Sequence, residues 1–215
     1  MNLYKVLDAN DRSMHGGTHD WAKEPTCGVT GPLDPCHHGV HLCRRQDLVR
    51  WLGPTIRVVT AYDPEGMIEV EDKVVVRSAT VGPKLERWTD VTARLFAADA
   101  AERAVSRYWT GSDRRPWDAV RVARRFAYGL ATRDECRAAA NAAYYANAAY
   151  YANAAYAAFA AAYAAAAYAY AAAAYADANA AMTVRLWQYL DGVVTPETLR
   201  PVYEANDWLS PEATR

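Results

Sequence analysis

A chain of 215 residues with a formal net charge of −1 has room for one generous domain or two small ones, and its charge gives no reason to expect nucleic acid or an acidic membrane surface as partner. No apolar run follows the basic start at Met1-Asn2-Leu3-Tyr4-Lys5, so no secretory leader is read. Four cysteines without a disulfide-rich composition suit a reduced, cytoplasmic protein.

The first stretch, residues 1–88, reads as a small α+β head. Leu3 to Leu7 is a strand candidate, and Asp8 to Pro35 is dense in Gly, Pro, Asp and Thr, the composition of turns. Gly39 to Cys43 reads as a second strand, and Gln46 to Leu52 as a short amphipathic helix with Leu48, Val49, Trp51 and Leu52 on its apolar side. Thr55 to Ala61 and Val74 to Val76 are β-branched and read as further strands, the latter after an Asp72-Lys73 turn.

Helical grammar begins near Asp90. Leu95, Phe96, Ala98, Ala101, Val105 and Tyr108 recur at helical spacing over Val91 to Tyr108, and Thr110 to Asp113 ends the run. Pro116 opens a second helix as a first-turn proline, and Gly129 closes it. The basic residues Arg114, Arg115, Arg121, Arg124 and Arg125 read as a solvated face of this helix. Thr132 and Glu135 have capping-box spacing and start a third. Asp191-Gly192 ends a helix and Thr195-Pro196-Glu197 starts a last short one in the tail, 191–215, where Trp208 and Leu209 are expected to pin the chain end.

Between these lies an alanine–tyrosine tract that begins as NAAYYA, NAAYYA, NAAYAA from Asn141, with no charged residue between Arg137 and Asp177. Alanine is the best helix former, and no Gly or Pro occurs between Gly129 and Gly192. At about 100° per residue, Tyr145, Tyr156, Phe159, Tyr163 and Tyr170 share one face, which is the candidate interaction face. Tyr150, Tyr168, Tyr175, Met182 and Leu186 gather opposite, so the helix should lie between two neighbours. One straight helix from Arg133 to Leu190 would run roughly 85 Å. Breaks at Asn147, Asn153 or Asp177–Asn179, or self-association, are therefore expected. Tyr and Asn in the tract speak against a membrane span. The fold class implied is α+β: a small β-rich head, then an all-α, alanine/tyrosine-rich helical bundle over residues 89–190.

Two partial resemblances follow from these segments. Leu3-Tyr4-Lys5, Gly39-Val40-His41-Leu42-Cys43, the short helix and the strands to Val74 resemble a small domain of unknown function in phage and bacterial proteins, marked by a Gly-x-His-x-Cys core. Leu95 to Arg103, Arg115 to Ala119 and Arg125 to Gly129 are similar to an alanine-rich helical domain of immunity proteins from actinobacteria and their phages. Together they imply a phage-type accessory protein in the host cytoplasm, with no agreed activity in either family. The two-faced aromatic helix and the lack of a complete catalytic set favour action through a protein partner or self-association over enzymatic activity.

Chemistry concentrates in Cys36-His37-His38-Gly39-Val40-His41-Leu42-Cys43. Cys36, His38, His41 and Cys43 are potential zinc ligands, although they crowd within eight residues instead of standing on two separated knuckles. On the simpler reading, His41 and Cys43 point into the core of a strand. A sharper alternative is NAD-dependent ADP-ribosyl transfer, because a Tyr-Lys strand, a Gly-x-His strand, a short helix and a β-branched strand resemble small ADP-ribosyltransferase folds. That resemblance implies Tyr4, Lys5 and His41 against the cofactor. It also implies Glu69 or Glu71 as the acid that stabilises oxocarbenium-like charge as nicotinamide leaves. Gly16-Gly17 alone is too little for a phosphate loop.

Overall fold

In a computed structural model the chain forms two compact units, Met1–Trp88 and Thr89–Arg215. The structure describes residues 1–109, 113–145 and 176–204.

The head is a seven-stranded sheet whose paired neighbours are all antiparallel. Its strands are β1 (Leu3–Leu7), β2 (Thr26–Gly28), β3 (Val40–Arg44), β4 (Thr55–Tyr62), β5 (Ile68–Val70), β6 (Lys73–Val76) and β7 (Ser78–Lys84), in the spatial order β2-β7-β4-β1-β3-β6-β5. Alternation puts Leu3 and Leu7 of β1, Val40 and Leu42 of β3, Val74 and Val76 of β6, and Ala79 and Val81 of β7 into one buried cluster. Trp21 completes it at 2 % exposure, its indole N–H donating to Ser13 Oγ at 2.8 Å. The turn-rich stretch from Asp8 thus carries a core residue that its composition did not suggest. Buried Asp11 anchors the same stretch, taking Arg57 Nε at 3.0 Å and Lys84 Nζ at 2.8 Å. Side-chain hydrogen bonds from Arg57 hold the Asp11 carboxyl below its usual range.

The helix expected over Gln46 to Leu52 is a single 3-10 turn, Leu48–Arg50, with Leu48, Val49 and Leu52 buried. β7 went unread because Gly82 and Pro83 interrupt it. Glycine lets the strands approach closely at the first of these: a Cβ there would stand 2.4 Å from Thr60 Cγ2, which would have to move, where irregular pairing brings β4 and β7 together.

The second unit corrects the expectation of an all-α, alanine/tyrosine-rich bundle. Five helices are described: α1 (Asp90–Tyr108), α2 (Arg115–Ala127), α3 (Arg133–Tyr145), α4 (Ala176–Leu190) and α5 (Pro196–Glu204). All are short, from 9 to 19 residues. Leu95, Phe96, Val105, Val120, Met182, Leu186 and Trp187 supply the larger buried apolar side chains, with Ala98, Ala101, Ala119 and Ala123 filling close approaches. Tyr189 at 1 % exposure is the buried tyrosine among the described residues of this unit. The tract 146–175, which holds seven of the fifteen tyrosines, lies outside the described residues. Tyr156, Phe159, Tyr163 and Tyr170 fall there, and Tyr145 is described only as the backbone end of α3. Of the expected corners, Asp177–Asn179 lies inside α4, while Asn147 and Asn153 are outside the described residues, as are Trp208 and Leu209.

Local signals shape the helix ends. Thr89 caps α1, its side chain accepting from the Thr92 amide. Gly129, at φ +72°, ends α2 in a Schellman arrangement: its amide donates to the Phe126 carbonyl, and that of Leu130 to the Arg125 carbonyl. Thr132 and Glu135 form the expected capping box, Thr132 N–H donating to Glu135 Oε2 at 2.6 Å and Glu135 N–H to Thr132 Oγ1 at 3.2 Å.

The basic face of α2 needs one correction. Arg124 is 2 % exposed, not solvated, because α1 supplies carboxylates to meet it. Its Nη2 donates to Asp99 Oδ1 at 2.6 Å and to Glu102 Oε2. Asp99 Oδ2 accepts from Arg185 Nε at 2.6 Å and from the Tyr189 hydroxyl at 2.8 Å, so one carboxylate joins α1, α2 and α4. No helix among the described residues is long and apolar enough to cross a membrane.

Candidate functional site

The site arises from a parting of strands in the middle of the head. β1 and β3 pair at Leu3↔Arg44 and Tyr4↔Cys43. Beyond that point β1 continues against β4 as far as Leu7↔Thr55, while β3 runs with β6 back to Val40↔Val76. A cleft of about 420 Å³ opens where the two central strands separate, lined by Lys5 and Val6 on one side and by Gly39, His41, Leu42 and Cys43 on the other. Ser13 to Gly17, Cys36, His37, Trp51 and Lys73 complete its wall. This volume lies within the range of small-molecule pockets.

Backbone geometry at the rim is unusual. His15 and Cys36 take positive φ of 58° and 73°, which side chains with a Cβ seldom adopt. Gly39, at φ +136°, could not be replaced: a Cβ would lie 2.4 Å from Val75 Cγ1. The turn that aims Cys36 is held by reciprocal bonds between Asp34 and His38, Asp34 N–H to His38 O at 2.8 Å and His38 N–H to Asp34 O at 2.7 Å.

Inside the cleft each polar group has a defined role. Lys5 Nζ donates to the His41 carbonyl at 2.9 Å, bridging the parted strands, and lies 5.4 Å from the Trp21 ring centre. Burial pushes its ammonium well down from the free lysine range, and the nearby Cys43 and Cys27 only partly oppose this. His41 Nε2 accepts the Cys36 amide at 2.9 Å, so that nitrogen is unprotonated. Burial, then the charges of Lys5 and Lys73, lowers the His41 pKa, against a hydrogen bond to the Gly39 backbone. Lys73 is 8 % exposed; its Nζ donates to Cys36 Sγ at 3.1 Å, stands 4.6 Å over the Trp51 ring and lies 3.8 Å from Asp72. Trp51 is fixed in turn by its indole N–H on the Asp72 carbonyl at 2.8 Å.

Other residues picked out from sequence stand elsewhere. Tyr4 is buried and does not line the cleft. Glu69 pairs with Arg44 at 3.0 Å and Glu71 with Arg50 at 2.8 Å, and neither faces the opening. In the Cys36–Cys43 run, His38 Nε2 bonds the Thr30 carbonyl, His41 Nε2 accepts the Cys36 amide, and burial pushes the Cys43 thiol up to about 12. Among the described residues no three of His, Cys, Asp and Glu are grouped as metal ligands. Sequence reasoning missed Lys73 and Trp51, which reach the site through the β3–β6 pairing and the 3-10 turn. It had set Gly16-Gly17 aside, yet both line the wall.

The head is thus a parted antiparallel sheet with a lysine–histidine cleft. No family model, curated protein or solved structure matches the chain.

Proposed function

We propose that the head is a binding module for a small anionic ligand bearing phosphate, with NAD or one of its nucleotide halves as the candidate. The reading is carried by Lys73, an ammonium some nine-tenths buried in a cleft whose described lining contains no carboxylate. A thiol and an indole face do not neutralise that charge, and Asp72 at 3.8 Å does so only partly. An anion in the cleft completes the pairing, and the Trp51 side offers an aromatic wall. Glycosyl transfer is not part of the proposal, because both candidate acids are engaged by arginines outside the cleft.

Isothermal titration of the full chain with NAD, AMP and inorganic phosphate tests it. Saturable binding is expected, weakened roughly 10- to 100-fold by Lys73→Met, the worth of one charge-assisted hydrogen bond. Circular dichroism checks that the variant is folded. Absence of binding by all three at millimolar concentration, or equal binding by the folded variant, overturns the reading.

A further inference from the structure

The chain has four lysines, and they stand in different settings. The side chains of Lys23 and Lys84 are 81 % and 43 % exposed and paired with Asp20 and Asp11. Lys73 donates to the Cys36 thiol and has Asp72 as a partial counter-charge at 3.8 Å. Lys5 alone meets the cleft without a carboxylate in the described contacts, at the point where β1 leaves β3. One of its N–H bonds is directed to the His41 carbonyl, which orients the nitrogen across the opening.

We propose that Lys5 is an imine-forming amine that condenses with the aldehyde or ketone of an anionic ligand seated in this cleft, the ligand's charge lying toward Lys73. For that charge the inference rests on the anion reading above; for the amine chemistry it does not. The Nζ lone pair attacks the carbonyl carbon, a C–N bond forms as the C=O π bond breaks, and a proton passes from nitrogen to oxygen to give a carbinolamine. Loss of the hydroxyl with a second proton, as water, leaves the C=N bond. No oxidant or reductant takes part. Desolvation supports the assignment, since it enriches the neutral amine that must attack; a buried lysine in a cleft with a second cation is a known way to make a nucleophile.

The experiment treats the full chain with pyridoxal 5′-phosphate or with pyridoxal, reduces with borohydride, and maps the modified peptides by mass. With the phosphorylated aldehyde, Lys5 is expected to carry most of the label, ahead of Lys23 and Lys84, because the cleft seats the phosphate beside it and burial favours its free amine. Pyridoxal should label Lys5 less, and Lys73→Met should bring the two aldehydes level. Label on Lys23, Lys84, Lys73 or the Met1 amine with Lys5 unmodified overturns the inference, whichever aldehyde is used. Equal labelling of Lys5 by both aldehydes in the wild type keeps the amine and overturns the anion reading instead. Because the mapping is read on the wild-type chain, folding of a variant cannot decide it.

Discussion

Asp99 is the most connected carboxylate among the described helices, and removing it is the sharpest test of how the second unit is held. In Asp99→Ala the acceptor of Arg124, Arg185 and Tyr189 disappears at once, three hydrogen bonds of 2.6 to 2.8 Å. Arg185 has a side chain 27 % exposed and can turn toward water, and Tyr189 loses a neutral donor's partner. Arg124, at 2 % exposure, has no such outlet and, of the two carboxylates described against it, keeps Glu102. An under-compensated buried charge costs about 3–5 kcal/mol, a large share of the roughly 5–15 kcal/mol that holds a domain together. Urea unfolding of the full chain, followed by far-ultraviolet circular dichroism, should show the helical transition moving to lower denaturant by that amount. The double variant Asp99→Leu with Arg124→Met should recover much of the loss, since it removes the charge together with its partner. A change in Asp99→Ala below about 1 kcal/mol, the scale of exposed ion pairs, would refute this account of the network.

Two further outcomes follow from the head. The buried Cys43 thiol, pushed up to about 12, holds its proton in the folded head while the unfolded chain releases it near the ordinary thiol value of 9. The stabilisation is therefore complete below pH 9 and lost as pH rises toward 12, at roughly one kcal/mol per pH unit for one proton; wild type compared with Cys43→Ala in urea unfolding isolates it, and parallel pH curves would contradict it. His41 has the opposite sign: its pKa is depressed, so its contribution is full above the free histidine value of 6.5 and falls away as the medium is acidified through the lowered value. Protonation replaces the acceptor of the Cys36 amide with a donor, so hydrogen exchange at Cys36 should accelerate in acid ahead of exchange in β6, and simultaneous exchange would contradict the coupling.

How far the sequence was readable depended on whether a signal was local. Strands β1, β3, β4 and β6 announce themselves through β-branched or alternating apolar residues, and the helix starts at Thr132 and stops at Gly129 through their own caps. β2 is three residues, Thr-Cys-Gly, inside a turn-rich stretch, with no pattern to detect. Arg124 was placed on a solvated face because its partners come from α1, Asp99 lying 25 positions earlier, which helical phase cannot reveal. The cleft was half visible. Gly39-x-His41 marks a strand whose backbone must pass close to a neighbour, but Lys73 joins it only because β6 pairs with β3, and Trp51 because a 3-10 turn replaces the expected helix. The helical bundle was overdrawn for a related reason: alanine content reports helix tendency, whereas packing is decided by which large side chains face each other.

The parting of β1 from β3 also bears on mechanics. Two residue pairs, Leu3↔Arg44 and Tyr4↔Cys43, fasten the half-sheet β2-β7-β4-β1 to the half-sheet β3-β6-β5, and the Lys5 ammonium on the His41 carbonyl is a side-chain stitch beyond them. The midline of the sheet is thus its narrowest seam, and a molecule lodged there occupies the place of missing ladder bonds. Whatever fills the opening becomes a rivet between the halves, so tightness of binding and stiffness of the sheet rise and fall together.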